Sequence, residues 1–371
     1  MKKLILLCMA LAIFFTTKAQ QFAYEGLIYI INEDGSTCTL NGYETQPKGN
    51  LIIPEQVCYN DNNLSVTKIG ENAFQDCTYL TSIVIPESVT QIEAFAFYYC
   101  TSLISIEIPK SVTTIAALAF SYCTSLTSIE IPNSVIQIGE SAFFDCISLT
   151  SIIIPESVTQ IEAWSFSHCT SLINIEIPKS VTQIGLGALS SCTSLTSVEI
   201  PNSVTQIGEF AFQDCTSLTS IVIPESVTQI GQYTFNNCTS LTSVEIPKSV
   251  TQIAALGFSS CTSLASIKCL AETPPLCGEY CFYEVPTSTC VLYVPAKTVD
   301  DYRASYPWSE FLIEALNDDS NGTSSLVSDF VDYSVFDLNG LKVMTSGNVS
   351  DFYKLPKGIY IINGKKVMIG K

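Results

Sequence analysis

The sequence predicts a repeat solenoid of short parallel strands joined by irregular or short helical turns, mostly β, followed by a small C-terminal β tail. Two observations carry this prediction. A cysteine recurs every 23 residues from Cys77 to Cys261, and a proline keeps the same step from Pro86 to Pro247. A fixed period of this length indicates one small unit that buries its apolar side only by stacking on its neighbours.

The repeating unit is a short strand followed by turns. In the copy over residues 83–105, Ile83 and Ile85 alternate with outward residues, as in a strand with one buried face. Pro86 ends this strand because proline has no N–H to donate to a sheet. The other inward positions of the copy are Val89, Ile92, Phe97, Cys100 and Leu103. Stacked copies therefore predict a core of isoleucine, phenylalanine and cysteine columns.

Three motifs of the unit carry a family resemblance. They are Leu80-x-x-Ile83-x-Ile85, Pro86-x-Ser88-Val89-x-x-Ile92 and Ala96-Phe97-x-x-Cys100. The first resembles the strand of a leucine-rich repeat, and the other two resemble the BspA-like branch of 23-residue repeats, which is found in bacterial surface proteins. The resemblance covers the repeats over 51–266. It implies surface display and, in some members, adhesion to host matrix proteins or other cells, and it carries over no catalytic residue.

The segments outside the repeats predict export and two caps. Residues 1–19 have the positive start, the apolar run and the small-residue finish of a secretory signal peptide. No later segment is long and apolar enough to predict a transmembrane helix. We therefore expect a secreted or outer-membrane surface protein after signal removal. The expected order is an N-terminal cap at 20–50, the solenoid at 51–266, a C-terminal cap at 267–316 and a polar linker at 317–329.

A separate β module is predicted for residues 330–371. Asn339-Gly340 and Asn363-Gly364 predict two tight hairpins. The runs Val335-Phe336-Asp337-Leu338-Asn339-Gly340 and Leu355-Pro356-Lys357-Gly358-Ile359-Tyr360-Ile361, with the basic pair Lys365-Lys366 after them, resemble the C-terminal sorting tail of the type IX secretion system of Bacteroidota. For an intact system, that resemblance implies export to the surface and anchoring to a surface glycolipid.

The chain contains sixteen cysteines, and beyond Cys8 in the signal peptide the 23-residue spacing separates them into two groups. The nine ladder cysteines share one inward position, where stacked Cβ atoms about 4.8 Å apart exceed the spacing of about 3.8 Å that a disulfide prefers. They are predicted to be buried free thiols that act as small core residues. The cap cysteines leave one or two disulfides open, with pairing undetermined; they are Cys38, Cys58, Cys269, Cys277, Cys281 and Cys290.

Composition argues against several functions. The net charge of −18 becomes −21 once Lys2, Lys3 and Lys18 leave with the signal peptide, so nucleic acid is a poor partner. The only histidine, His168, occupies a variable repeat position that is expected to be exposed. The sequence contains no glycine-rich phosphate loop and no histidine-based metal spacing. We therefore expect no catalytic residue, no cofactor and no metal site, and the protein is predicted not to be an enzyme.

The candidate binding residues form an acidic column on the outward face of the strands. The residue at this outward position repeats every three coils, or 69 residues: an apolar residue at one coil is followed by glutamate at the next two. The column consists of Glu107, Glu130, Glu176, Glu199 and Glu245. Strand alternation places these carboxylates on one face, close to one another. Two interpretations are open: a solvated face that keeps the solenoid soluble, or a binding strip for a partner or Ca²⁺.

Two functions fit these features. The first is a secreted or surface-attached protein that binds host matrix proteins, cell-surface proteins or glycans, and so mediates adhesion. The alternative is a structural spacer or self-associating cell-envelope component, in which the repeats only set length. The near-uniform coils favour multivalent weak contacts or pure scaffolding.

Overall fold

The computed structural model describes residues 20–316 and, beyond them, four strands near the C-terminus. The described residues belong to two compact units, one that ends before residue 318 and one that begins after residue 317. The first unit is a stack of short coils with three sides, in which neighbouring coils pair in parallel. The prediction of a repeat solenoid is therefore confirmed. The predicted signal peptide (1–19) and linker (317–329) lie outside the described residues.

The first side of the stack consists of parallel strands, one from each coil. Outward and inward residues alternate along them because a strand directs successive side chains to opposite faces. Two sheets of seven and five strands form this side. The seven are Gly49–Ile52, Leu80–Val84, Ser105–Glu107, Ser128–Glu130, Ser151–Ile153, Asn174–Glu176 and Ser197–Glu199. The five are Ser220–Val222, Ser243–Ile246, Ser266–Cys269, Val291–Pro295 and Leu312–Leu316.

The second side consists of two-residue parallel strands, each of which ends on an inward residue. These strands fall into three groups, with breaks after Ile138 and Ile207. The two breaks lie 69 residues apart, so the three-coil period of the sequence recurs in the structure. The strands are Gln91–Ile92, Thr114–Ile115 and Gln137–Ile138, then Gln160–Ile161, Gln183–Ile184 and Gln206–Ile207, then Gln229–Ile230, Gln252–Ile253 and Leu276–Cys277.

The third side is a run of turns that nevertheless forms a backbone ladder. The N–H groups of Phe95, Phe97 and Tyr99 donate to carbonyls of the next coil at 2.8–3.1 Å. The same three bonds recur at every step, from the coil of Asn72 to the coil of Ser260. The third-side ladder, which we define as this set of bonds, is therefore continuous, whereas both other sides contain breaks.

Two residues of each coil in the third-side ladder adopt a left-handed backbone conformation. Phe95 and Tyr99 have φ values of 58° and 60°, and the corresponding residues are left-handed in every coil from Asn72 to Glu284. For a non-glycine residue this conformation costs on the order of 1 kcal/mol. Between these two residues, every second N–H points along the stack, from Phe95 through Phe97 to Tyr99. The inter-coil hydrogen bonds offset the strain.

Antiparallel strands cover the N-terminal end of the stack. Gln21–Tyr24 pairs with Leu27–Ile31, which pairs with Thr37–Tyr43. Asn62–Ile69 pairs in parallel with Thr37–Tyr43 and antiparallel with Gln56–Tyr59. Asn62–Ile69 also pairs with the first strand of the second side, so this cap continues directly into the coils.

The C-terminal cap extends the first side and adds the helices of this unit. They are the 3₁₀ helices Ala296–Thr298 and Trp308–Glu310 and the α-helix Val299–Ala304. Trp308 is buried, and its ring lies 5.2 Å from that of Phe282 in the last coil. The cap therefore closes the core with aromatic side chains. None of the helices in the described part of the chain is long and apolar enough to cross a bilayer.

Aromatic and thiol columns fill the interior. Phenylalanine rings of successive coils stack at 5.2–5.8 Å between centroids, from Phe74 to Phe166 and again from Phe212 to Phe282. The ladder cysteines are fully buried free thiols, as predicted. From Cys100 to Cys261, each thiol donates to a carbonyl of the preceding coil at 3.1–3.3 Å. Each of these buried thiols therefore has a hydrogen-bond acceptor within the stack.

The cap cysteines are free thiols as well, and two of them contact each other. Cys277 and Cys281 replace the isoleucine and the small residue that occupy the same positions in earlier coils, such as Ile92 and Ala96. A hydrogen bond with Cys281, together with burial, raises the pKa of the Cys277 thiol. The Cys269 thiol lies instead 3.2 Å from the Tyr302 hydroxyl.

The C-terminal unit contains a four-stranded sheet. Its strands are Tyr333–Phe336, Lys342–Ser346, Gly358–Ile362 and Lys365–Ile369. Tyr333–Phe336 pairs antiparallel with Lys342–Ser346, and Gly358–Ile362 pairs antiparallel with Lys365–Ile369. These are the strands on either side of the two predicted Asn-Gly turns, whose own residues lie outside the described ones.

The buried thiols are expected to make the folded protein less stable at alkaline pH. Burial raises the pKa of Cys169 from 9.0 to about 12, and it raises the pKa values of the other ladder thiols in the same direction. In the unfolded chain these thiols ionise near 9, so the folded state holds more protons above that pH. The stabilisation that the protonated thiols provide should be fully present below about pH 9 and should be lost progressively as pH rises towards 12.

Urea unfolding at pH 7, 8, 9 and 10 measures this effect. Replacing Cys169, Cys215 and Cys261 by alanine should lower stability at pH 7 but make its decline above pH 9 shallower. A decline as steep as that of the native chain would show that the thiols do not cause it.

Candidate functional site

The predicted acidic column lies on the outward face of the first side. Glu107 and Glu130 are paired residues of adjacent strands, and Glu176 and Glu199 form a second such pair. All four side chains are exposed. Directly paired residues of adjacent strands lie about 5 Å apart, so each pair concentrates two negative charges in a small area.

Exposed apolar residues separate the acidic pairs. Ile153 is paired with Glu130 on one side and Glu176 on the other, and 69% of its side chain is exposed. Val84 and Val222 hold the same position three coils before and after it, and both are about half exposed. With strands about 4.8 Å apart, acidic pairs and apolar residues alternate with a period of about 14 Å. We call this outward column the first-side strip.

The fifth predicted residue, Glu245, has a different environment. Its carboxylate lies 3.3 Å from the ammonium of Lys268, the residue paired with it on the next strand. The side chain of Glu245 is also less exposed than those of the other four. Within residues 20–316, Glu107, Glu130, Glu176 and Glu199 form no ion pair, whereas Glu245 forms one at the C-terminal end of the strip.

A shallow depression lies over the first acidic pair. It encloses about 780 Å³ and is lined by the strands of Glu107 and Glu130. Glu87 and Lys110, which follow the strand prolines, lie at its border. The depression therefore combines carboxylates, one ammonium group and apolar strand residues such as Ile106 and Ile129.

A second row of exposed groups lies on the third side. Trp164, Phe210 and Tyr233 occupy equivalent left-handed positions and are half-buried, with ring centroids 6.3 and 4.9 Å apart. Gly187 stands between them, and a Cβ on it would lie 2.2 Å from the Trp164 ring. Glycine therefore lets the indole lie across an intervening coil. The Phe210 and Tyr233 rings are stacked, and the Trp164 ring is tilted against Phe210.

The only histidine does not form a catalytic set. The Nδ1 atom of His168 lies 2.9 Å from the Ser167 hydroxyl, and Asp145 stands on the preceding coil. Burial raises the pKa of the Asp145 carboxyl, and His168 acts in the opposite direction. Because the Ser167 side chain is completely buried, its hydroxyl is inaccessible to a substrate. Among the described residues, no group of three His, Cys, Asp or Glu side chains converges to hold a metal ion.

Family models identify the repeats. The model described as BspA type leucine rich repeat region, in six copies, matches residues 59–173, 113–242 and 165–291, which together make up more than half of the chain. The chain belongs to the BspA-type leucine-rich repeat family. No curated protein matches the sequence.

Several solved structures are similar to this BspA-type chain. A leucine-rich cell surface protein from Faecalibacterium prausnitzii is 25% identical, with coverage of 81% of this chain and 96% of that one and a TM-score of 0.43. A leucine-rich repeat protein from Bacteroides ovatus is 25% identical, with coverage of 80% and 100% and a TM-score of 0.35. The pneumococcal vaccine antigen PcpA is 17% identical, with coverage of 80% and 98% and a TM-score of 0.48.

The motif residues of the BspA-type repeat hold the coils together. Serine hydroxyls of the Pro-x-Ser-Val motif, such as those of Ser88 and Ser111, donate to a carbonyl of the preceding coil at 2.6–2.7 Å. The motif cysteines do the same through their thiols. These motif groups are therefore used inside the stack, whereas the first-side strip occupies the outward, variable position of the strand motif.

Proposed function

We propose that this protein is an exported, cell-surface leucine-rich repeat protein that binds a basic protein partner through its first-side strip. Membership of the BspA-type family supports the repeat architecture, and the resemblance to BspA-like surface proteins supports the location. Host matrix proteins and cell-surface proteins are the partner class. The protein is not proposed to be an enzyme.

One observation carries this proposal. The strip keeps its register over successive strands, so exposed carboxylate pairs and exposed apolar side chains alternate along one face. A surface that served only solubility would gain nothing from exposed Ile153 and Val222. A partner with lysine or arginine beside apolar groups would contact both kinds of residue. Repetition every three coils adds such contacts along the strip.

The test removes the charge of the strip. Glutamine replaces Glu107, Glu130, Glu176, Glu199 and Glu245. Each exposed ion pair contributes up to about 1 kcal/mol, so affinity for a lysine–leucine peptide or a basic matrix protein should fall about tenfold to a hundredfold. The salt dependence of binding should largely disappear. Surface plasmon resonance at several salt concentrations measures both effects.

A matched control removes five charges elsewhere. Glutamine replaces acidic residues at the corner between the second and third sides, namely Glu71, Glu93, Glu140, Glu162 and Glu209. The proposal requires this variant to bind almost as tightly as the native chain. If both variants bind alike, the strip only keeps the solenoid soluble, and the spacer or self-associating envelope component becomes the better account.

The C-terminal unit is proposed to direct export to the surface. Its four-stranded sheet accompanies the sequence resemblance to a type IX sorting tail. Deleting residues 330–371 should leave the repeats folded, because the repeats belong to a separate compact unit. In a host with that secretion system, the shortened chain should accumulate inside the outer membrane. Protease accessibility on intact cells measures this, and normal surface levels of the shortened chain would contradict the sorting role.

A further inference from the structure

The third-side ladder has an open end at the last coil. The carbonyls of Glu279, Cys281 and Tyr283 accept bonds from the preceding coil at 2.7–3.0 Å. A trans peptide is planar, with its C=O and N–H pointing in opposite directions. The N–H groups that follow these carbonyls belong to Tyr280, Phe282 and Glu284, and they therefore point away from the stack, beyond its C-terminal end.

The residues that carry these three N–H groups have the same backbone conformation as the rest of the ladder, but their N–H groups have no acceptor within residues 20–316. Tyr280 and Glu284 are left-handed, with φ values of 55° and 62°, like the equivalent residues of every earlier coil. In those coils the same N–H groups donate to the next coil. Within residues 20–316, nothing accepts a bond from Tyr280, Phe282 or Glu284 N–H. Three adjacent backbone donors are thus arranged to receive one more segment.

The peptide dipoles of the ladder add up at this end. Every inter-coil peptide of the third side points its carbonyl towards the N-terminal end and its N–H towards the C-terminal end. Aligned peptide dipoles place partial positive charge where the N–H groups end, as at the start of a helix. The open end of the ladder therefore attracts hydrogen-bond acceptors more strongly than isolated amides would.

The C-terminal cap covers other parts of the last coil but not this edge. Val291–Pro295 and Leu312–Leu316 continue the first side, and Trp308 and Phe311 cover the Phe282 ring. No strand of the cap continues the third side within the described residues. A cavity of about 650 Å³ lies there instead, lined by residues 277–285 and 287 together with residues 306, 307 and 310.

The walls of this cavity indicate which acceptor fits. Tyr280, Tyr283 and Tyr306 line it and are 65%, 53% and 80% exposed, which is unusual for three neighbouring aromatic residues. Glu279, Glu284 and Glu310 line it as well. Bare N–H groups in this conformation favour anions, but three carboxylates repel them. Neutral carbonyls with cationic side chains avoid that repulsion, and tyrosine faces attract cations.

We propose that the C-terminal end of the solenoid binds an extended peptide segment rich in lysine or arginine. Alternate carbonyls of the segment accept bonds from Tyr280, Phe282 and Glu284 N–H, as the next coil does elsewhere in the ladder. The basic side chains of the segment contact Glu279, Glu310 and the exposed tyrosines. This is recognition by strand addition, with the backbone supplying affinity and the side chains selecting charge. The site is separate from the first-side strip.

The test uses full-length protein and a defined probe, the hexapeptide acetyl-(Lys-Val)₃-amide. On binding, the backbone amides of Tyr280, Phe282 and Glu284 should exchange their hydrogens more slowly, as measured residue by residue by NMR. Replacing Glu279 and Glu310 by glutamine should weaken binding about tenfold, because two exposed charge contacts are lost. Glu284 is left unchanged because its carboxylate accepts a bond from the Ser260 hydroxyl at 2.8 Å.

Three controls distinguish strand addition at this end from charge attraction, anion binding and binding along the first-side strip. Spermine carries the charge without the carbonyls and should not slow exchange at the three amides. Inorganic phosphate should neither protect these amides nor compete with the peptide. The variant with five glutamines in the first-side strip should still protect them when the peptide is added.

Three results would each overturn the proposal: absence of peptide binding, protection of the amides by phosphate, or peptide binding that leaves the three amides unprotected. Loss of binding along the strip, with this protection retained, would count against the proposed function alone.

Discussion

The rest of the structure depends on the third-side ladder. It joins every coil to the next by three backbone hydrogen bonds, whereas the first side breaks once and the second side breaks twice. The ladder exists because two residues per coil accept a left-handed conformation, such as Phe95 and Tyr99. Single strained residues of this kind cost on the order of 1 kcal/mol each, so they persist only where repeated bonds compensate for them.

A constant step along the ladder fixes what the other sides present. The same three bonds recur at each step, and from Glu130 to Glu199 the first-side strip keeps the order of the sequence from strand to strand. Three-coil duplication therefore becomes a spatial period, in which exposed Ile153 lies between two carboxylate pairs and exposed Val222 lies next to Glu245. The direction of the ladder also makes the two ends unlike, because only the C-terminal end presents N–H groups. The binding proposed along the strip and the binding proposed at the C-terminal end thus both depend on one backbone arrangement.

Much of this could be predicted from the sequence. Alternating isoleucines predicted the first side, and the strict cysteine period predicted a column of buried thiols. The ladder could not be predicted, because Phe95 and Trp164 give no sign of a positive φ. A weak signal exists at the other left-handed position, where Asp145, His168 and Asn237 belong to residue types that tolerate this conformation. The ion pair of Glu245 was missed because Lys268 lies outside the regular repeats.

Hydrogen exchange of the free chain tests the central claim most directly. If the third side is a true inter-coil ladder, the amides of Phe97, Phe120 and Phe143 should be protected at least as strongly as those of Ile106 and Ile129 on the first side. Their protection should also extend across the coils at which the other two sides break. Exchange of the third-side amides at the rate of ordinary surface turns, with the first side still protected, would contradict the account.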